Sequence, residues 1–243
     1  MRLTKGKKIG LAAALLLLLA AVICGVYVGD YYRMTESAAA ALASDEDVTV
    51  SYDHHQTVFL PDDPKAGFIF YPGGKVEYTA YSMLLRELAE NGVLCVAVKM
   101  PGNLAVLSPN AADGIPEQFP EIERWYIGGH SLGGAMAASY AAKNADTFEG
   151  LALLAAYSTA DLTGSGLEVV SLYGSEDQVL NMEKYEEYRA NLPEDAVEVV
   201  INGGCHAYFG CYGAQAGDGL PTITKEEQTA ITAESLLDMM NIA

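Results

Sequence analysis

Gly129-His130-Ser131-Leu132-Gly133-Gly134 is the stretch on which the reading of this chain turns. It has the form Gly-x-Ser-x-Gly with a third glycine behind it. Residues 124–127 before it read as a short strand, and residues 135–142 after it as a helix. A serine on a sharp strand-to-helix turn sits in a strained backbone conformation, and small neighbours are needed so that nothing collides with it. The helix that follows aims its first amides at the same spot, where a negative oxygen would be stabilised. Ser131 is therefore a candidate nucleophile, and the Leu132 N–H a candidate donor to an oxyanion.

Working outward, apolar strands alternate with helices. Gly67 to Tyr71 is a wholly apolar run of the kind that buries in a parallel sheet. After Pro72-Gly73-Gly74-Lys75 comes a helix from about Tyr78 to Glu90, with Leu84, Leu85 and Leu88 at helical spacing and Asn91-Gly92 as its stop. Further strands are predicted at 93–98, 151–155, 169–173 and 197–201, with helices near 115–119, 182–191 and 225–240. Two extended stretches, 48–52 and 57–60, precede the alternation. The pattern predicts an α/β fold with a mostly parallel central sheet and helices on both faces. Functional groups in such sheets gather where loops leave the carboxyl ends of the strands.

The other end of the chain has a different character. Arg2, Lys5, Lys7 and Lys8 precede an apolar run from Ile9 to Val28. That is about 20 residues, the length that spans a bilayer. Basic residues before the run and acidic ones after it predict a signal anchor with the N-terminus inside and the domain outside the cell membrane. Cleavage after Ala41-Leu42-Ala43 would make the domain secreted, but that site lies far beyond the apolar run. The expected organisation is a basic cytoplasmic end at 1–8, a transmembrane helix at 9–28, an alanine-rich stalk at 29–47 and the folded domain at 48–243.

The net charge is −18. Setting aside the four N-terminal basic residues leaves 10 basic against 32 acidic ones, a balance of −22. Such a surface repels nucleic acid and anionic headgroups, so no nucleic-acid partner is expected. Cysteine is sparse: Cys24, Cys95, Cys205 and Cys211. An exported domain permits a Cys205–Cys211 bridge, and two free thiols are the equal alternative. The spacing of these two with His206 matches no strong zinc motif, and no metal or organic cofactor is expected.

A serine hydroxyl needs a base, normally a histidine that a carboxylate holds in the right tautomer. His54 and His55 precede the sheet and read as a solvated turn. His130 is next to the nucleophile but points elsewhere, packing beneath the turn. His206 follows the last strand through Asn202-Gly203-Gly204, at a carboxyl end, and is the candidate base. For the acid, Asp177 follows the 169–173 strand through Gly174-Ser175-Glu176; Asp161 and Glu176 are its competitors. A second oxyanion donor should come from the loop at Pro72-Gly73-Gly74, where Gly74 is the choice and Gly73 and Lys75 lie within one residue.

Four phrases then resemble one family. Tyr-Pro-Gly-Gly-Lys (71–75), Gly-Gly-His-Ser-Leu-Gly-Gly (128–134), Tyr-Gly-Ser-Glu-Asp (173–177) and Gly-Gly-Cys-His-Ala-Tyr-Phe-Gly (203–210) are similar to the α/β-hydrolase superfamily. The likeness is to a small lid-less bacterial subgroup related to dienelactone hydrolases and carboxylesterases, and it runs from Phe59 to Ile242. The resemblance implies a Ser-His-Asp triad of Ser131, His206 and Asp177. There are departures. Dienelactone hydrolases use a cysteine where Ser131 stands, so their substrate does not carry over. In the subgroup an asparagine often precedes the histidine, where this chain has Cys205, which puts the local conformation of that loop in question.

Between the strands at 151–155 and 169–173 only about a dozen residues remain, too few for a helical cap, so an open site is expected. Tyr157, Tyr208 and Phe209 are candidates to line it. The expectation is a serine hydrolase of carboxylesterase type, cleaving a carboxylic ester, thioester or amide of a small-molecule acyl substrate. The alternatives are a non-catalytic extracytoplasmic binding protein on the same scaffold and an envelope acyltransferase.

Overall fold

The alternation of apolar runs becomes a single sheet in the computed structural model, which describes residues 5–242 apart from the side chains of 5, 8–10 and 12. Its strands are β1 (Val48–Tyr52), β2 (Gln56–Pro61), β3 (Ala66–Tyr71), β4 (Val93–Val98), β5 (Trp125–His130), β6 (Gly150–Leu154), β7 (Glu168–Gly174) and β8 (Val197–Ile201). They lie in the order β1-β2-β4-β3-β5-β6-β7-β8. β2 is antiparallel to both neighbours, and every pairing from β4 onward is parallel.

The helices are α1 (Lys5–Gly29), α2 (Glu36–Ala40), α3 (Ser82–Glu90), α4 (Leu132–Ala141), α5 (Met182–Tyr188) and α6 (Lys225–Met239). Side chains alternate across a strand, and β3 shows the result. Phe68 and Phe70 belong to the core layer that contains Leu84, Leu85 and Leu88 of α3 and Leu236 of α6. Ile69 and Tyr71 belong to the opposite layer, with Ala137, Ala138 and Ala141 of α4. Burying both faces explains why β3 and β4 are apolar throughout. Between β6 and β7, residues 155–167 contain no helix.

Three expectations are revised. The helix expected near 115–119 is one 3₁₀ turn, Pro116–Gln118, because Pro116 and Pro120 leave no room for an α-helical turn. β5 runs on to His130 rather than stopping at Ile127. The expected stalk at 29–47 does not stand free: from Tyr32 on it lies on the domain. Ala38 is fully buried, and the Arg86 guanidinium reaches the carbonyls of Ala41 and Ala43 and the carboxylate of Asp45. Small alanine side chains let this segment pack closely where longer ones would hold it off.

The chain divides into two compact units, one up to Tyr31 and one from Tyr32. In the first, α1 carries a row of exposed leucines, Leu15 to Leu19. The expected basic end at 1–8 lies outside the described residues for 1–4. Among the described residues, no helix is long and apolar enough to cross a membrane.

Candidate active site

Ser131 links the last residue of β5 to the first of α4 with φ 53° and ψ −124°, a left-handed conformation that side chains avoid. Its N–H donates to Leu154 O at the end of β6 (2.8 Å), which fixes the turn to the neighbouring strand. The flanking glycines make the turn sterically feasible. A Cβ on Gly129 would lie 2.5 Å from Tyr71 O, and one on Gly133 2.3 Å from both Tyr71 O and Pro72 O. The turn thus presses against the end of β3 and the loop that leaves it.

His206 and Asp177 leave the carboxyl ends of β8 and β7 and meet there. His206 Nδ1 and Asp177 Oδ2 are 2.8 Å apart, with side chains only 2% and 1% exposed. Asp177 Oδ1 also accepts the N–H groups of Val179 and Leu180, both at 2.8 Å. A carboxylate so surrounded by donors has one orientation, and it orients the imidazole through Nδ1. His206 Nε2 is buried without a hydrogen-bond partner. Nucleophile–base contacts are often open before substrate binds.

Ser131 and His206 line one cavity of about 330 Å³, together with Leu132, Met136, Tyr157, Thr159, Leu180 and Asn181. A larger cavity of about 410 Å³ lies at the amino ends of β7 and β8, lined by Val197, Val199 and Met239 with the carboxylates of Glu168, Asp195 and Asp238. It lies away from the carboxyl ends of the strands, and neither Ser131 nor a histidine lines it. The competing acids fall away on geometry. Asp161 accepts from the backbone and hydroxyl of Thr163, and Glu176 accepts from the Ser175 hydroxyl. Tyr157 reaches the cavity; Tyr208 and Phe209 do not line it, and Phe209 instead packs 5.7 Å from the His130 ring.

In the loop after β3, the amides divide cleanly. Gly73 N–H donates to the Tyr81 hydroxyl (3.0 Å) and Lys75 N–H to Asn103 O (2.7 Å). Among the described residues, the N–H groups of Gly74 and Leu132 have no acceptor. Gly74 lies against Leu132: a Cβ added to it would be 3.0 Å from Leu132 Cδ2. The two amides without acceptors are the ones expected of an oxyanion site, one of them directly after Ser131.

Beneath this site sits a layer that sequence reasoning did not assemble. The Tyr81 hydroxyl, which accepts from Gly73, is 2.8 Å from His130 Nδ1. Burial, reinforced by the nearby His206, pushes the His130 pKa well below its ordinary value. The His130 ring lies 4.4 Å from that of His206. Asp218 accepts the N–H groups of His206 (3.2 Å), Ala207 (2.8 Å) and Gln178 (3.4 Å), tying the base loop to the acid loop. Gln228 of α6 accepts from Cys205 N–H (3.0 Å) and donates to Cys205 O (2.8 Å). The conformation at Cys205 is therefore held through its main chain. Its thiol is free, as is that of Cys211, and burial pushes the Cys205 pKa up to about 12.

Comparison with known proteins follows this geometry. Residues 67–230 match the model of the alpha/beta hydrolase family. A search of curated protein sequences gives no match. Solved structures with a similar fold include a hydrolase described as CIB-like from Thermoplasma acidophilum (16% identity, TM-score 0.58, 79% of this chain and 100% of the other). A dienelactone hydrolase from Anabaena variabilis shares 13% identity at TM-score 0.59, over 79% and 99% of the two chains. Carboxyl esterase 2 of the mycorrhizal fungus Tuber melanosporum shares 10% at TM-score 0.59, over 86% and 91%. At such identities the likeness concerns the fold. Strand order, the serine turn between β5 and α4, and a family match spanning most of the sheet agree: this chain belongs to the alpha/beta hydrolase family.

Proposed function

We propose that the protein is a serine hydrolase that cleaves a carboxylic ester, thioester or amide of a small-molecule acyl substrate. Ser131 Oγ attacks the acyl carbon while His206 Nε2 takes its proton. Asp177 holds the imidazole and stabilises the imidazolium. The oxyanion is held by the N–H groups of Gly74 and Leu132. His206 then gives the proton to the leaving group, and water repeats the sequence to release the acid. The observation that supports this reading is the buried His206–Asp177 bond of 2.8 Å, with His206 lining the same cavity as Ser131. A fluorophosphonate probe is expected to label the protein, and Ser131→Ala to abolish both labelling and ester turnover. An intact protein that never labels overturns the assignment.

The apolar run at 9–28 is read as a membrane anchor that leaves the hydrolase domain outside the cytoplasm. It is supported by the basic residues that precede the run and by the exposed Leu15 to Leu19. Detergent, and not high salt, should release the protein from membranes, and externally added protease should digest the domain in intact cells. Recovery of the full-length chain in the soluble fraction would refute the anchor.

A further inference from the structure

Tyr32 to Thr35 precede the residues that match the family, yet they are bonded to two loops of the candidate site. Tyr32 N–H donates to Lys75 O (2.8 Å), and Glu77 N–H donates to Tyr32 O (2.9 Å), forming a parallel bridge at Val76. The Glu77 carboxylate accepts from Met34 N–H (3.0 Å). These bonds grip the chain one residue beyond Gly74. On the other side, Thr35 N–H donates to Cys211 O (2.8 Å), and the Tyr32 hydroxyl accepts from Ala216 N–H (3.1 Å). The Tyr32 ring lies 5.5 Å from that of Tyr212, which in turn lies 6.4 Å from both Tyr81 and His130.

Lys75 gives this grip a purpose. It has φ 60°, a left-handed conformation in a residue with a side chain, and such strain persists only where surrounding bonds over-determine it. Its N–H is held by Asn103 O, while its carbonyl is held by Tyr32. Releasing that carbonyl frees the Lys75–Val76 peptide, lets the strained φ of Lys75 relax, and so shifts the Gly74 N–H two peptide units upstream. Misplacing a catalytic group by about 1 Å can cost on the order of a hundredfold in rate.

We propose that Tyr32 is a positioning residue, and that Tyr32–Thr35 forms a strap that sets the Gly74 loop against the loop bearing His206. This rests on the serine-hydrolase reading above. The test uses the full chain with p-nitrophenyl butyrate as probe substrate and three variants. Tyr32→Phe keeps the ring and the N–H, Tyr32→Ala loses the ring, and Tyr32→Pro loses both ring and N–H. Expected is a kcat within about threefold of wild type for the first, about tenfold lower for the second and about a hundredfold lower for the third, with KM unmoved. Fluorophosphonate labelling rates should fall in the same order. Amide exchange over residues 72–77 is read alongside, and should quicken in the Ala and Pro variants whether or not the wild type turns over ester. Unchanged exchange at 72–77 overturns the strap. So does a variant that melts earlier while keeping wild-type kcat. An inactive, unlabelled wild type whose exchange responds as expected would overturn the hydrolase reading and leave the strap standing.

Discussion

At the scale of single residues, Ser131 occupies a backbone region that costs a residue with a side chain about 1–3 kcal/mol. Glycine enters that region without strain, so Ser131→Gly should raise stability by about 1 kcal/mol while abolishing turnover. A urea midpoint that falls instead would mean that the turn is not strained. Gly73→Ala should cost activity and stability together, since its Cβ would lie 2.7 Å from His130 Nδ1 and 2.8 Å from the Tyr81 hydroxyl. His130 predicts a pH dependence. Buried and neutral, it keeps a pKa well below that of an unfolded-chain histidine, about 6.5. Below about pH 6.5 the unfolded chain takes up a proton that the folded one refuses, so stability is full above that pH and declines as pH falls. Urea midpoints measured from pH 8 to 5 should show this decline, and His130→Gln should flatten it. The places of Ser131, His206 and Asp177 at strand ends were legible because apolar strands and glycine turns mark where such loops begin. Asp218, Tyr81 and Gln228 were not, because each acts by bonding the backbone of a residue distant in sequence.

At the scale of elements, the loops do the assembling. β7 and β8 deliver Asp177 and His206, and Asp218 ties the two loops through three N–H groups. Removing a hydrogen-bonded carboxylate of this kind costs about 1–3 kcal/mol. Asp218→Ala should therefore lower kcat about tenfold and lower the melting temperature, with Asp218→Asn recovering part of both. Equal kcat for all three proteins would show the loops to be held by other means. Apart from β5, strand ends were read to within a residue, and runs apolar on both faces such as β3, β4 and β6 leave little ambiguity. The misread end of β5 has a physical source. Gly128 and Gly129 look like chain breakers in isolation, but in the sheet they pair with β3 and β6 and carry the strand to the turn. α6 begins with a capping box in which Thr224 and Glu227 satisfy each other's backbone.

At the scale of the whole molecule, the sequence suggests a hydrolase domain and an apolar helix joined by a spacer, and that spacer was its least legible part. Alanines at 38–41 carry no pattern that distinguishes a stalk from a packed segment; only the complementary surface decides, and here Ala38 is buried. The strongly acidic balance of the domain gives a testable contrast. With no electrostatic attraction to anionic lipid, a protein lacking residues 1–28 should not sediment with phosphatidylserine vesicles at low salt. Co-sedimentation would show that the folded domain has a membrane surface of its own.

The bare crossing from β6 to β7 has a consequence for engineering. Gly164 and Gly166 lie in a turn at its outer tip, with no atom within 4 Å of where a side chain would begin. Thr159 in the same crossing borders the cavity that contains Ser131. That tip lies two residues from the amino end of β7, away from the site, whereas exposed Thr159 is a splice point beside the entrance. A cap grafted there would change which molecules gain entry without altering the residues that act on them, so selectivity and chemistry could be varied in separate parts of the chain.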